Sequence, residues 1–97
     1  MKFTLEPASD KKHKWIGIFT DPVTKEEKRI PFGSFGMSDY TLNKNPLRRM
    51  RYIQRHKARE NWNDPMTAGS LAKNILWGQS TSLLENVRSF KRKFNLD

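Results

Sequence analysis

The spacing of the apolar residues changes once along this chain, and that change restricts the folds it can adopt. Near the start, Phe3 and Leu5 alternate with polar neighbours at a period of two, which is typical of β-strands. Beyond residue 46 the apolar residues recur every three or four positions, which is typical of amphipathic helices. A strand-rich segment followed by a helix-rich segment predicts an α+β fold.

Two further segments of the first third have strand composition. Residues 14–20 and 28–32 are rich in β-branched and aromatic side chains, and the Asp-Pro pair at 21–22 is typical of a turn between them. Pro31 lacks the amide hydrogen that a β-ladder needs, so we expect it at a sheet edge or a strand end. Gly17 lies inside the first of these segments and indicates a bulge or a close contact.

A connector follows, and the first helix comes after it. We expect three side chains of the connector to anchor it to the core: Phe35, Met37 and Tyr40. The Asn-Pro pair at 45–46 is typical of a helix start, and the helix should extend to about Glu60. At 100° per residue Leu47, Met50 and Ile53 share one face, which we expect to pack on the core.

The other two predicted helices have clear end signals. Asp64 is a suitable N-cap, Pro65 suits the first helical position, and Gly78 suits the position just past the C-terminal end. The third helix should begin after Ser82, because Ser82 and Glu85 have the spacing of a capping box.

Together these elements predict one domain over residues 1–97. It consists of a β-hairpin region at 1–33, a connector at 34–46 and a basic helical region at 47–97. We expect a small antiparallel sheet of two or three strands packed against three C-terminal helices.

Basic residues are concentrated in the second half of the chain. There are 19 Lys and Arg against 10 Asp and Glu, a net charge of +9. Residues 1–42 hold seven basic and six acidic side chains, whereas residues 43–97 hold twelve and four. The stretch Lys44–Arg59 holds seven Lys or Arg and no acid. Such a one-sided excess is more typical of contact with a polyanion than of a surface kept for solubility.

Four arginines of the first helix share an arc of about 80°, away from the apolar face. They are Arg48, Arg51, Arg55 and Arg59. Arginine binds phosphate through two parallel hydrogen bonds, so a row of this kind can follow a nucleic-acid backbone. Tyr52 flanks the arc and, like Trp62, could stack on bases if exposed; packing in the core is the alternative for both. A second basic cluster consists of Arg88, Lys91, Arg92 and Lys93.

No pattern in the chain indicates catalysis or metal binding. His13 and His56 fall in different elements and have no acidic partner at ligand spacing. None of the serines lies in a nucleophile elbow, and there is no cysteine to ligate zinc. We therefore expect no enzyme activity, no cofactor and no metal site, and structural or surface roles for both histidines.

The composition also bears on location. The absence of cysteine fits a reducing compartment. No apolar run approaches the ~20 residues of a membrane span, and residues 1–6 lack the apolar core of a signal peptide. We expect an intracellular protein, or one packaged from inside a cell, without membrane insertion.

Several short motifs stand in order between Phe32 and Phe94. They are Phe32-Gly33, Gly36–Thr41, Arg51–His56, Glu60–Pro65, Thr67–Gly69, Ile75–Gly78 and Lys91–Phe94. This order resembles a family of small basic proteins encoded by large nucleocytoplasmic DNA viruses of algae and amoebae. The resemblance implies a viral setting and a virion or genome-associated role, and it supplies no catalytic residues. It also draws attention to polar residues that we expect to lock the arginine row against the sheet: Asp39, Tyr40, His56, Glu60 and Trp62.

The sequence thus predicts a small viral DNA-binding protein that contacts the backbone of double-stranded DNA largely independently of sequence. Packaging or compaction of a genome is the expected role. Base-specific reading is not supported, because no helix-turn-helix, zinc knuckle or RNP signature is present. The alternative is a minor capsid or scaffold protein whose basic face and sheet edge contact capsid proteins.

Overall fold

The computed structural model, which describes residues 1–97, contains a three-stranded antiparallel sheet followed by helices, and it confirms the α+β fold. The strands are β1 (Lys2–Pro7), β2 (His13–Thr20) and β3 (Glu27–Ser34). The helices are α1 (Tyr40–Asn43), α2 (Pro46–Lys57), α3 (Ala68–Leu71) and α4 (Leu83–Lys93). α3 continues directly into one turn of π-helix, Ala72–Leu76, which we call the π segment. None of the helices combines the length and apolar character that crossing a bilayer requires.

The sheet is a meander in the order β1-β2-β3, with regular pairing on both sides of β2. Gly17 pairs with Leu5 on one side and with Ile30 on the other, without a bulge. A Cβ at Gly17 would lie 3.0 Å from Leu71 Cδ1, so this glycine permits a close contact with α3. Pro31 lies on the edge strand β3, where its missing N–H costs no ladder bond to a further strand.

α2 begins as predicted but ends earlier. The Asn45 side chain accepts hydrogen bonds from two backbone N–H groups of the first turn, at 3.0 and 3.3 Å, and thereby caps the helix. The helix ends at Lys57, and a tighter turn follows in which the Arg59 N–H donates to the His56 carbonyl at 3.1 Å. Arg59 therefore lies in the turn, and only three of the four expected arginines belong to the helix.

The second predicted helix starts later and ends differently. Asp64 accepts the backbone N–H two residues later at 3.0 Å and forms a turn, while Thr67 caps α3 by accepting a backbone N–H at 3.1 Å. Gly78 does not have the left-handed backbone of a helix-terminating glycine. A Cβ there would collide with the carbonyl of Asn74, so Gly78 serves close packing instead.

α4 begins at the predicted cap and is tied to the π segment by one buried amide. The Ser82 hydroxyl accepts the N–H of Glu85 at 3.3 Å, whereas the Glu85 carboxylate pairs with an arginine, so half of the capping box forms. Asn86 Nδ2 donates to the carbonyls of Ile75 at 2.9 Å and Ser80 at 2.8 Å. Its Oδ1 accepts the N–H of Ser80 at 3.0 Å, so every polar atom of this amide group is used.

The core lies between the sheet and the helices. Its buried apolar side chains form one cluster: Phe3, Phe19, Phe32, Tyr52, Leu71, Ile75, Leu76, Trp77 and Phe90. The ring centroid of Phe3 lies 5.0 Å from those of both Phe19 and Phe90. One aromatic cluster therefore joins β1, β2 and α4.

Only one of the three apolar residues predicted to share a face of α2 packs against the core, namely Ile53. Leu47 and Met50 are 49% and 51% exposed, so they do not belong to the core. Instead the Tyr52 ring stacks on Trp77 at 4.5 Å, and Arg49 Nε donates to the Trp77 carbonyl at 3.0 Å. The end of the π segment offers an indole face and free carbonyls, which an aromatic ring and a guanidinium satisfy better than aliphatic side chains do.

Polar contacts fasten the connector to the sheet. Asp39 is buried, accepts a backbone N–H of α1 at 2.9 Å, and accepts Lys14 Nζ of β2 at 2.5 Å. Phe35 and Met37, which were expected to act as anchors, are each 65% exposed, and Tyr40 alone of the three packs against the core. A charged pair thus replaces the apolar anchors that the sequence suggested.

Candidate nucleic-acid interface

Three arginines of α2 recur at helical spacing, and a fourth follows in the turn after the helix; we call the four the arginine face: Arg48, Arg51, Arg55 and Arg59. All four are exposed, and none of them makes a side-chain hydrogen bond or ion pair within the chain. No acidic residue lies on α2. Their charges are therefore available to an external anion.

Tyr52 does not belong to this surface. Its ring is buried and lies between the rings of Trp77, at 4.5 Å, and His56, at 4.1 Å. Burial also raises the pKa of the Tyr52 hydroxyl. Tyr52 is thus a packing residue, which corrects its expected role in stacking on bases. Trp62 is half-buried, and its Nε1 donates to Glu60 at 3.3 Å.

The four members of the expected C-terminal basic cluster differ in their surroundings. Arg88 pairs with Glu85 at 2.8 Å, and Arg92 donates to a neighbouring serine at 3.1 Å. Lys91 is half-buried, while Lys93 faces a cleft between helices. Lys93 is therefore the member of this cluster that lies near cations of other helical elements.

That cleft, which we call the basic cleft, has a volume of ≈ 240 Å³ and lies between α2, the π segment and α4. Three cations from these three elements line it: Arg49, Lys73 and Lys93. Its other polar side chains are neutral: Asn74, Gln79, Asn86 and Ser89. No acidic side chain lines the basic cleft, so its cations face one another without a counter-ion.

The electrostatics of Lys73 reflect this crowding. Burial lowers the pKa of Lys73, and the nearby charges of Lys93 and Arg49 lower it further. Arg49 Nε donates to the carbonyls of Trp77 at 3.0 Å and Gly78 at 2.8 Å, so the guanidinium is held in place. A partly buried group of like charges without a counter-ion favours an anionic ligand.

Sequence reasoning missed Arg49 and Lys73. Arg49 directly follows Arg48, and in a run of basic residues nothing marks which arginine faces inward. The available signal was its spacing with Tyr52 and His56, since positions i, i+3 and i+7 share a helix face. For Lys73 the signal was a single cation inside an otherwise uncharged helical segment.

A larger cleft of ≈ 450 Å³ lies between the sheet and the end of α2 and contains both histidines; we call it the histidine cleft. His13 Nδ1 lies 2.6 Å from an oxygen of Asp10, and His56 Nδ1 is hydrogen-bonded to Glu60. The expectation that neither histidine has an acidic partner is therefore wrong. Hydrogen bonds from His13 and from two backbone N–H groups hold the pKa of Asp10 well below its usual range.

The carboxylates around the histidine cleft are already engaged in contacts within the chain. Asp39 is bonded to Lys14, and Glu60 accepts from both His56 and Trp62. The residues expected to form one polar lock instead make two separate sets of contacts, and only that of Asp39 reaches the sheet. No group of three or more metal-ligating side chains comes together in the chain. Arg55 also lines this cleft, so the arginine face borders it.

Comparison with known proteins places the chain in a family without an assigned function. A family model described as "Family of unknown function (DUF5754)" matches residues 3–56, which is more than half of the chain. The matched range contains the sheet, the connector and most of α2, including Arg49 and three members of the arginine face. No curated protein and no solved structure matches the chain significantly.

Proposed function

We propose that this chain, which belongs to the DUF5754 family of unknown function, binds the phosphate backbone of double-stranded DNA largely independently of base sequence. The observation that supports this most strongly is the arginine face, whose four exposed guanidinium groups have no partner within the chain. Its partner is therefore an external anion that offers several negative charges in a row.

The spacing of the arginine face fits a duplex. From Arg48 to Arg55 the helix rises about 10 Å, and duplex DNA carries one negative charge per about 1.7 Å of axis. Over this length the duplex presents roughly six phosphate charges, so each arginine can contact a different phosphate. Exposed guanidinium groups keep their bidentate geometry for phosphate oxygens, which lysine cannot supply.

Packaging or compaction of a viral genome is the role we propose for this binding. The resemblance of the motif order to proteins of large nucleocytoplasmic DNA viruses supports a viral setting. Backbone contacts carry no sequence information, which suits a protein that must coat a long DNA irrespective of its sequence. Virion or host-cell location is part of the same proposal.

The test is a duplex-binding titration at several salt concentrations with a variant in which Arg48, Arg51, Arg55 and Arg59 are all replaced by Gln. We expect weaker binding and a shallower plot of log affinity against log salt. The slope should fall by about 0.9 for each phosphate that the variant no longer neutralises. Fluorescence anisotropy of a labelled duplex measures both quantities.

A matched control removes the same number of charges from the sheet side. Its four substitutions are Lys11→Gln, Lys12→Gln, Lys25→Gln and Lys28→Gln, all at exposed positions. We expect this variant to retain most of the affinity and the slope of the unaltered chain. Equal losses in the two variants would mean that net charge alone attracts the DNA, and the proposal would fail.

A second candidate function, a minor capsid or scaffold component, is favoured by exposed apolar side chains. Five of them fall within residues 35–50: Phe35, Met37, Leu42, Leu47 and Met50. Apolar side chains concentrated in one exposed segment are typical of protein contacts. The sheet edge supports this function less, because Asp97 bonds to the backbone of Met1 and Phe3 along β1, and the opposite edge contains Pro31.

The two functions differ in what should bind at about 0.15 M salt. A DNA-binding protein retains duplex binding there, whereas a capsid component need not. If neither duplex DNA nor heparin binds, and the variant Leu47→Ser with Met50→Ser abolishes self-association of the chain, the capsid alternative replaces the first proposal. Analytical ultracentrifugation measures that self-association.

A further inference from the structure

In the basic cleft the fold brings together three cations with no acidic counter-ion, although each lies over an aromatic ring, Lys73 at 5.2 Å from the centroid of Trp62. Elsewhere the cations of the folded chain either extend into solvent, as on the arginine face, or pair with an acid, as Lys14 does with Asp39. In the basic cleft Lys73 is half-buried, and its neighbours Lys93 and Arg49 carry the same charge. Arranging these three groups together costs free energy in the unliganded chain.

We propose that the basic cleft is a discrete binding site for a single phosphate group, occupied by a backbone phosphate when the chain is on nucleic acid. That the bound phosphate comes from nucleic acid rests on the proposed function. That the site binds phosphate at all rests only on the residues that line it. The site goes beyond the arginine face because it is concave, formed from three elements, and able to bind one anion with defined stoichiometry.

The lining of the basic cleft fits phosphate chemically. Arg49 and the two lysines supply positive charge, and the neutral amide of Gln79 can donate an N–H to a phosphate oxygen, whereas the Asn74 amide already donates to Ser70. No carboxylate is present to repel the anion. Phosphate needs charge together with several donors, which this lining provides.

The size of the basic cleft limits the ligand to a small anion. Its volume of ≈ 240 Å³ lies below the roughly 300–1,000 Å³ of pockets that take drug-sized ligands. The cleft has room for one phosphate group with a few waters, but not for a nucleoside in addition. The base and sugar of a bound nucleotide therefore remain outside the site.

The local backbone supports a functional role for this site. Lys73 and Asn74 lie on the π segment, and single π-helical turns occur often at functional sites. The wider turn is held at its end by Arg49, which bonds the Trp77 and Gly78 carbonyls. The same arginine thus fixes the backbone of the π segment and contributes charge to the cleft.

The first experiment titrates inorganic phosphate into the ¹⁵N-labelled chain and follows side-chain amide resonances by NMR. We expect saturable shifts at Asn74, Gln79 and Asn86. The double variant Lys73→Gln with Lys93→Gln should weaken phosphate binding by about tenfold or more, because it removes two charged hydrogen-bond donors.

The matched control is Lys11→Gln with Lys12→Gln, which removes two charges from exposed positions outside both the cleft and the arginine face. It should bind inorganic phosphate as the unaltered chain does. Equal weakening in both double variants, or phosphate shifts confined to α2 residues outside the cleft, would overturn the proposal.

Thermal unfolding separates a binding defect from a folding defect. Lys73→Gln removes a half-buried cation from between two others, so its unfolding temperature should be unchanged or higher than that of the unaltered chain. A variant that loses phosphate but keeps its stability supports a ligand site. A lower unfolding temperature with phosphate binding retained would show that Lys73 has a structural role instead.

Duplex titrations distinguish failure of this inference from failure of the proposed function. If phosphate binds the cleft and duplex DNA does not bind the chain, the site stands and the DNA function is rejected. If duplex binds and the cleft variant loses no more affinity than Lys11→Gln with Lys12→Gln, the arginine face alone holds DNA and the cleft inference is rejected.

Discussion

At the scale of single residues, neighbours in the sequence have opposite roles because a helix turns by about 100° between them. Arg48 is exposed and free, whereas Arg49 is half-buried and bonded to two carbonyls at the end of the π segment. Tyr52 lies close to the arginine face along the helix, yet its ring packs against Trp77. The chemistry of a residue type is known from the sequence, but its partner is set by the side of the helix that meets the core.

Tyr52 should make the stability of the fold depend on alkaline pH. Burial raises the pKa of its hydroxyl above the ordinary value of 10.0. The folded chain then keeps a proton that the unfolded chain loses, so stability is intact below pH 10 and falls as the pH rises above it. Urea unfolding at about pH 8 and about pH 11 should show a smaller loss for Tyr52→Phe, which keeps the stacked ring.

Lys73 has the opposite effect on stability. Its pKa is lowered in the folded chain, so at pH values below the ordinary lysine value of 10.5 the unfolded chain binds more protons, and stability rises with pH there. The comparison of Tyr52→Phe with the unaltered chain cancels that contribution, since Lys73 is present in both. Parallel pH profiles for the two proteins would show that the Tyr52 hydroxyl is not buried as described.

At the scale of elements, the contact between the π segment and α4 depends on one amide. Asn86 makes three hydrogen bonds to the backbone of Ile75 and Ser80. It is buried, so water cannot replace these bonds if the side chain is removed. The element pair that carries the basic cleft is therefore held by a polar contact as well as by apolar packing.

Asn86→Ala should lower the free energy of unfolding by about 3 kcal/mol, because it leaves buried backbone groups without partners. Urea denaturation monitored by tryptophan fluorescence measures this loss. Thr81→Ala is a suitable control, since Thr81 is exposed and lies in the same loop. A loss below about 1 kcal/mol would mean that the segment between the π segment and α4 holds its shape without Asn86.

At the scale of the whole molecule, salt should act on folding and on DNA binding with opposite signs. The chain has a net charge of +9, most of it in the helical half, and like charges repel more in the compact state than in the extended one. Raising NaCl from ~0.05 M to ~0.3 M screens that repulsion, so the unfolding temperature of the free chain should rise. Over the same range DNA affinity should fall steeply.

Differential scanning calorimetry tests the first half of this prediction, and the duplex titrations test the second. The quadruple arginine-face variant should show a weaker response to salt in both, since it has four fewer positive charges. An unfolding temperature that falls with salt would mean that attractive ion pairs, such as that between Lys14 and Asp39, outweigh the repulsion.

The sequence by itself determined the α+β class, the position of the strands, the caps at Asn45 and Ser82, and the location of most of the charge after residue 43. These properties depend on periodicity, local hydrogen bonding and composition, which act over a few residues. The exposure of Pro31 on an edge strand follows from the same local chemistry.

Only the tertiary structure decided which residues form the sites. Arg49, Lys73 and Lys93 are separated by 20 or more residues in the chain, and they meet because three helical elements pack around Trp77 and Asn86. The inward face of α2 was predicted correctly for Ile53 and wrongly for Leu47 and Met50, because hydrophobicity does not reveal that a helix end with free carbonyls will select an arginine. Contacts between distant segments depend on the whole fold, and local patterns contain no record of them.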